Sequence, residues 1–198
     1  MSLRRPRALA LIVALILAPL GVVAVDPVGP ATASTTVVSV TNYAFTPSSV
    51  QVAMGSTVSW QFHGDHTTTS NEGFWASGER MSGAFNRAFP DAGNFGYHCS
   101  MHPFMTGVVR VPLRSAGRPL TGYLLTWSVR SSTPGSIRFD IQYLRSGATR
   151  WSSFRSATAQ RSARFNPARS GTYLVRARTR NVGHGASGWS ATLHLKIS

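Results

Sequence analysis

Apolar and polar residues alternate along most of this chain. Val38 and Val40, Val50 and Val52, and then Val58, Trp60 and Phe62 each stand two positions apart, and Gly55 punctuates the last two runs. Farther on, Phe95, Tyr97 and Cys99 share one parity, and Val108 and Val111 resume the pattern through Gly107. A period of two puts successive side chains on opposite faces of an extended strand, so each run predicts a half-buried antiparallel strand. The pattern continues beyond Pro119. Leu125 and Trp127 open it. Ile137, Phe139, Ile141 and Tyr143 then oppose Arg138, Asp140 and Gln142. Tyr173, Val175 and Ala177 oppose Arg176, Arg178 and Arg180, and Leu193, Leu195 and Ile197 oppose Thr192, His194 and Lys196. The fold class expected is all-β: a two-sheet sandwich over 34–112, then a seven-stranded sandwich over 119–198.

Charge divides the chain in the same way. The net charge is +14 over 198 residues. Residues 34–112 hold three arginines against Asp65, Glu72, Glu79 and Asp91, whereas 113–198 hold thirteen arginines and Lys196 against Asp140 alone. Two segments this different predict two domains, with 113–118 as the linker between them. Residues 1–33 read differently again. Arg4, Arg5 and Arg7 precede an apolar run from Ala8 to Val25 that Pro19 and Gly21 interrupt. This is the shape of a secretory signal, and cleavage after Ala24 or after Ala33 fits small residues at the −3 and −1 positions. The run is short for spanning about 30 Å of hydrocarbon, so export to the extracytoplasmic envelope or the medium is expected over an uncleaved anchor. Export makes nucleic acid an unsuitable partner despite the charge.

Exported proteins ordinarily use cysteines in pairs, yet this chain has one. An unpaired thiol in an oxidising compartment is a liability unless something occupies it. The neighbours of Cys99 suggest what does: His102 follows three residues later and Met105 three after that. Thiolate, imidazole and thioether are donors that suit copper. Parity turns Cys99 inward and His98 outward, and His102 and Met105 fall in the tight loop after that strand. One more histidine, distant in sequence, would complete a His₂Cys set with a weak axial methionine, the blue-copper ligand set. His66, in a turn just past an inward-facing strand, is the first candidate; His63, at the strand's rim, is the second.

The stretch from Thr36 to Pro112 resembles the cupredoxins, the family of plastocyanin, pseudoazurin and amicyanin. The resemblance rests on Val40-Thr41-Asn42-Tyr43-Ala44-Phe45-Thr46-Pro47, on Gly55-Ser56-Thr57-Val58-Ser59-Trp60, on His66-Thr67, and on Gly93-Asn94-Phe95-Gly96-Tyr97-His98-Cys99 running through His102-Pro103 to Met105-Thr106-Gly107. The Cys-x-x-His-x-x-Met spacing is similar to the short ligand loop of amicyanin. The resemblance implies a Greek-key sandwich with one type 1 copper ion held by His66, Cys99, His102 and Met105. It also implies single-electron transport, with an exposed His102 edge surrounded by Met101, Pro103 and Phe104 where a redox partner docks.

The second segment resembles a fibronectin type III domain, through Leu125-Thr126-Trp127, Phe139-Asp140-Ile141-Gln142-Tyr143, the run from Gly171 to Asn181, and Gly185-Ala186-Ser187-Gly188-Trp189-Ser190. Tyr173 would be its tyrosine-corner residue. In that fold Arg138, Arg176, Arg178, Arg180, His194 and Lys196 form one basic face, either a solvated surface or a contact for an anionic envelope polymer, lipid surface or acidic redox protein. Four functions compete: electron carriage, extracytoplasmic copper scavenging or delivery, a multicopper enzyme, and adhesion. The enzyme reading asks for further copper centres, typically with His-x-His pairs, and the chain has none.

Overall fold

The computed structural model describes residues 33–198. The basic and apolar run read as an export signal lies outside the described residues. Among the described residues the chain is entirely strands, turns and loops. In the N-terminal lobe these are β1 (Thr35–Thr41), β2 (Ala44–Thr46), β3 (Ser49–Gln51), β4 (Thr57–His66), β5 (Thr69–Ser70), β6 (Arg80–Ala88), β7 (Gly93–His98) and β8 (Thr106–Val111). They form two four-stranded sheets, ordered β2-β1-β4-β6 and β3-β8-β7-β5. Strand β1 runs parallel to β4, and β3 parallel to β8; the other pairings are antiparallel.

The alternation explains why these sheets face one another. Val38, Val40, Val58, Trp60 and Phe62 from one sheet, and Phe95, Tyr97, Val109 and Val111 from the other, are all buried. Trp60 lies at the centre, with ring centroids of Trp75, Phe85, Phe89 and Tyr97 between 5.4 and 6.2 Å away. Gly107 is a packing requirement: a Cβ there would come within 2.3 Å of the Tyr97 ring. Burial of that ring pushes the Tyr97 phenol up to about 12.

The second lobe contains β9 (Arg114–Arg118), β10 (Gly122–Thr126), β11 (Ile137–Arg145), β12 (Ser152–Thr158), β13 (Ser162–Phe165), β14 (Gly171–Asn181), the short β15 (Gly185–Ala186) and β16 (Leu193–Ile197). A three-stranded sheet, β13-β10-β9, accompanies a sheet ordered β12-β11-β14 with β15 and β16 both on β14. The parity expected for this segment is observed: Val175 and Ala177 are fully buried while Arg176, Arg178 and Arg180 alternate outward.

The segment 113–118 departs from expectation. It is not a linker. Leu113 is 2% exposed, and Arg114–Arg118 pair residue for residue with Gly122–Thr126 as β9. Gly117 and Gly122 carry φ values of +142° and +73° and let the backbones approach where any Cβ would collide. Pro119 falls in the turn beyond the last paired residue, where it blocks no ladder bond.

The lobes pack as one unit. Ala92 N–H donates to Trp127 O at 2.8 Å and Val129 N–H to Pro90 O at 2.9 Å. Asn94 and Gly188 exchange backbone hydrogen bonds at 2.9 and 2.8 Å. Thr179 Oγ1 donates to Ala92 O, and the Asn181 amide donates to the Glu72 and Gly73 carbonyls. Asp91, 3% exposed, accepts from Ser128 Oγ and from Arg130.

Candidate metal centre

Three elements bring the expected donors together. Cys99 directly follows β7 and is fully buried, while His98 on the opposite face donates from Nδ1 to Asn71 Oδ1 at 2.8 Å. The loop 99–105 closes on itself through backbone bonds. Cys99 N–H donates to Met105 O at 3.1 Å, His102 N–H to Cys99 O at 3.2 Å, and Met105 N–H to His102 O at 2.8 Å. This nested turn holds one orientation for three side chains within seven residues, and Met105 is 2% exposed beneath it.

The remaining candidate donor comes from the other sheet. His66 was expected in a turn, but it is the last residue of β4 and pairs with Arg80. The register slips between His63 and His66, so Gly64 and Asp65 form a bulge. Gly64 has φ +143°, a conformation that side chains rarely adopt. The extra residue re-aims the strand end. His66 becomes 5% exposed, while His63 stays on the exposed face.

Donor atoms of His66, Cys99 and His102 all lie within 4.8 Å of one another. Cys99 Sγ stands 3.9 Å from His66 Nδ1 and 3.6 Å from His102 Nδ1. Both imidazoles therefore present the same nitrogen to the sulfur. Burial, and secondarily repulsion from His102, hold the His66 imidazole below its ordinary value, with Asp65 opposing. The shift favours the neutral imidazole, the form that binds a metal. The donor chemistry fits copper: one thiolate sulfur, two imidazole nitrogens and a thioether residue in the same loop.

Residues to which the sequence assigned no role of their own complete the surroundings. Thr67 N–H donates to Cys99 Sγ at 3.3 Å. Thr67 Oγ1 accepts from Ser100 N–H at 2.7 Å, which ties the strand after His66 to the ligand loop. Tyr43, 59% exposed with φ +59°, sits edge-on to His102 at 4.7 Å and to His66 at 5.7 Å. In the sequence Tyr43 stood only within the stretch that carries the cupredoxin resemblance, after Asn42, a residue that tolerates the left-handed turn. Met101, Pro103 and Phe104 are exposed around His102, with Phe104 at 71%. A cleft of about 390 Å³ opens beside them, lined by Tyr43, His63, Asp65, His66, Met101 and His102 among others.

No protein-family description matches this sequence, and no curated protein sequence is similar to it. Solved structures are similar over the N-terminal lobe. A proline-to-phenylalanine variant of amicyanin in its reduced state is 30% identical, with a TM-score of 0.33, over 38% of this chain and 79% of that one. A purple cupredoxin from Nitrosopumilus maritimus is 24% identical, with a TM-score of 0.35, over 39% of this chain and 98% of that one. A copper-containing nitrite reductase from Thermus scotoductus SA-01 is 22% identical, with a TM-score of 0.34, over 38% of this chain and 21% of that one.

Proposed function

We propose that this chain is an exported type 1 copper protein of the cupredoxin kind that carries single electrons. The observation that supports it is the convergence of His66 Nδ1, Cys99 Sγ and His102 Nδ1 on one point, with Met105 buried in the same loop. Copper bound there would supply one-electron Cu(II)/Cu(I) chemistry. The protein's part is to hold the donors still. Cys99 is fixed by the Thr67 amide, His102 and Met105 by the nested turn, and His66 by the end of β4. Donors fixed by the fold need little rearrangement when the charge on the site changes, and the same fixity suits a carrier better than an enzyme. The exposed His102 surroundings, Met101, Pro103 and Phe104 with Tyr43, are a small apolar patch suited to a brief encounter with a redox partner.

Loading the purified protein with Cu(II) and recording visible and EPR spectra tests this reading. An intense thiolate-to-copper band is expected; a colourless protein with an ordinary tetragonal signal overturns it. The ligand choice has its own test. His66→Ala is expected to lose the band and His63→Ala to keep it, and the reverse would mean that His63 is the ligand.

A second reading, copper scavenging or delivery, is favoured by the cleft that reaches His66 and His102 past His63 and Asp65. Fast electron self-exchange supports carriage, whereas transfer of the ion to an acceptor protein supports delivery.

We read the second lobe as fibronectin type III-like. Two features support this: its three-stranded sheet accompanies one ordered β12-β11-β14-β16, and Tyr173 OH donates to Arg169 O, four residues upstream, at 2.7 Å. Its basic residues Arg138, Arg176, Arg178, Arg180 and Lys196 would contact an anionic envelope polymer or lipid surface. The face is partly self-neutralised. Asp140 Oδ2 accepts from Arg178 at 2.8 Å and Arg180 at 2.6 Å, and Arg176 lies between Trp151 and Trp189 at 3.9 and 4.4 Å. Burial pushes the Asp140 carboxyl up, but the Ala157 amide and the two arginines outweigh it and hold it below the usual range. Retention on anionic vesicles should fall steeply between low and physiological salt; salt-independent retention would refute an electrostatic contact.

A further inference from the structure

Arg87 occupies an unusual position. On β6 it shares the parity of Phe85 and Phe89, the face turned toward the N-terminal core. Its guanidinium lies 5.1 Å from the Trp75 ring centre and 5.7 Å from that of Phe89. Its Nε is buried and has no hydrogen-bond partner among the described residues. Aromatic faces compensate a cation only in part, and they offer no acceptor to a buried N–H. Burial first, and Arg130 second, pull Arg87 down to about 10, against the opposing charge of Asp91.

The acid that could answer this charge is engaged elsewhere. Asp91 accepts from Arg130 Nε at 2.9 and 2.8 Å, from Arg130 Nη2 at 2.6 Å and from Ser128 Oγ at 2.8 Å. Two guanidiniums, one from each lobe, thus stand near a single carboxylate that bonds Arg130 and leaves Arg87 without an acceptor. Both line a cavity of about 250 Å³ whose walls also include Phe74, Ser136, Ile137 and Asn181. Asn181 is held in that wall by its bonds to the Glu72 and Gly73 carbonyls.

We propose that this cavity binds a small oxyanion of the phosphate or sulfate class between Arg87 and Arg130. Arg87 Nε has no partner, and Arg130 Nη1 stands outside the bonds to Asp91, so a tetrahedral anion can accept from the Arg87 fork and from the remaining edge of Arg130. A monatomic anion cannot fill both. The cavity's size and its walls from both lobes favour a free small anion over a polymer. The arginine-rich second lobe adds a positive field that concentrates such anions locally. The bound anion joins residues of the two lobes, so it stabilises the folded pair over the unfolded chain. This inference is independent of what the metal centre does.

The test uses the whole chain, with and without copper, titrated with inorganic phosphate, sulfate and chloride at constant ionic strength. Thermal unfolding and isothermal titration calorimetry are the readouts. Phosphate and sulfate are expected to give one-site heats and a saturable rise in Tm of about a few degrees, with chloride giving neither. Arg87→Gln should abolish both signals. Arg87→Lys, which keeps the charge but loses the fork, should weaken them about tenfold or more in Kd. Arg145→Gln, on the exposed end of β11, should leave them intact. Equal behaviour of phosphate and chloride would show that water alone fills the cavity and would overturn the proposal. So would undiminished phosphate heats in the Arg87 variants, which would place the anion elsewhere on the basic lobe. If Arg87→Gln does not fold, Arg87→Lys and the direct heats decide the matter.

Discussion

Cys99→Ser is expected to give a folded protein that stays colourless with Cu(II) and binds it at least about a hundredfold more weakly. Loss of an outer partner of a metal ligand already costs about 10- to 100-fold in affinity, and loss of the thiolate removes the strongest donor of the set. The substitution is close to isosteric, so the fully buried position is not emptied. What changes is the donor. A serine hydroxyl does not ionise near neutrality and is a hard oxygen where the two imidazoles and Met105 suit a softer metal. The Thr67 amide also loses its sulfur acceptor at 3.3 Å. Serine oxygen can take its place, so the metal-free variant should lose no more than about 1 kcal/mol of stability. Absorption and EPR spectra, a competition titration for copper, and denaturant unfolding of the metal-free chain separate these effects. Retention of an intense visible band in the serine variant would refute Cys99 as a ligand.

Trp60→Ala should be the most damaging single change to stability, by about 3–5 kcal/mol. Trp60 is fully buried and lies opposite Val38 on β1 and Phe85 on β6. Its ring meets four aromatic neighbours, including Tyr97 edge-on at 5.4 Å and 83°. Such pairs add about 0.5–1.5 kcal/mol beyond simple burial, and the sheets cannot close over so large a void. Tyr97 stands two residues before Cys99, so the loss reaches the metal centre through the strand that carries it. Trp60→Phe should cost less than half as much, because one ring remains between the sheets. Guanidinium unfolding of the metal-free protein measures both, and a loss below about 1 kcal/mol for the alanine variant would mean that the core is organised around another residue.

The parts of this picture that were legible in the sequence are those carried by short-range periodicity. The alternation of Phe95, Tyr97 and Cys99 placed the sulfur inside and His98 outside without any knowledge of the partner strand. The three-residue spacing of Cys99, His102 and Met105 pointed to a loop of candidate donors because all three lie within one short stretch of chain. His66 was legible as a candidate donor but not in its setting. A bulge is one extra residue in one strand, and Gly64 was its sole trace. The lobe junction was not legible at all. Asp91 stands 37 residues from Ser128 and 39 from Arg130, and no local pattern pairs them. Strand β9 was missed because Arg114, Ser115, Ala116 and Gly117 lack the β-branched and aromatic residues that mark a strand. Cross-strand pairing with β10 overrode that weak propensity.

Strand β7 begins where the lobes are joined, at Gly93 and Asn94, and ends at the metal centre, so the centre lies roughly 15–20 Å from the junction along that strand. The lobe that carries it holds three arginines against four acids, while nearly all the net positive charge sits beyond the junction. A charge imbalance locked into one body is a permanent electric dipole, with its positive pole set away from the His102 edge. In the field of an anionic surface such a molecule experiences a torque as well as an attraction. In such a field the torque would turn the basic lobe toward the surface and the His102 edge toward the solution.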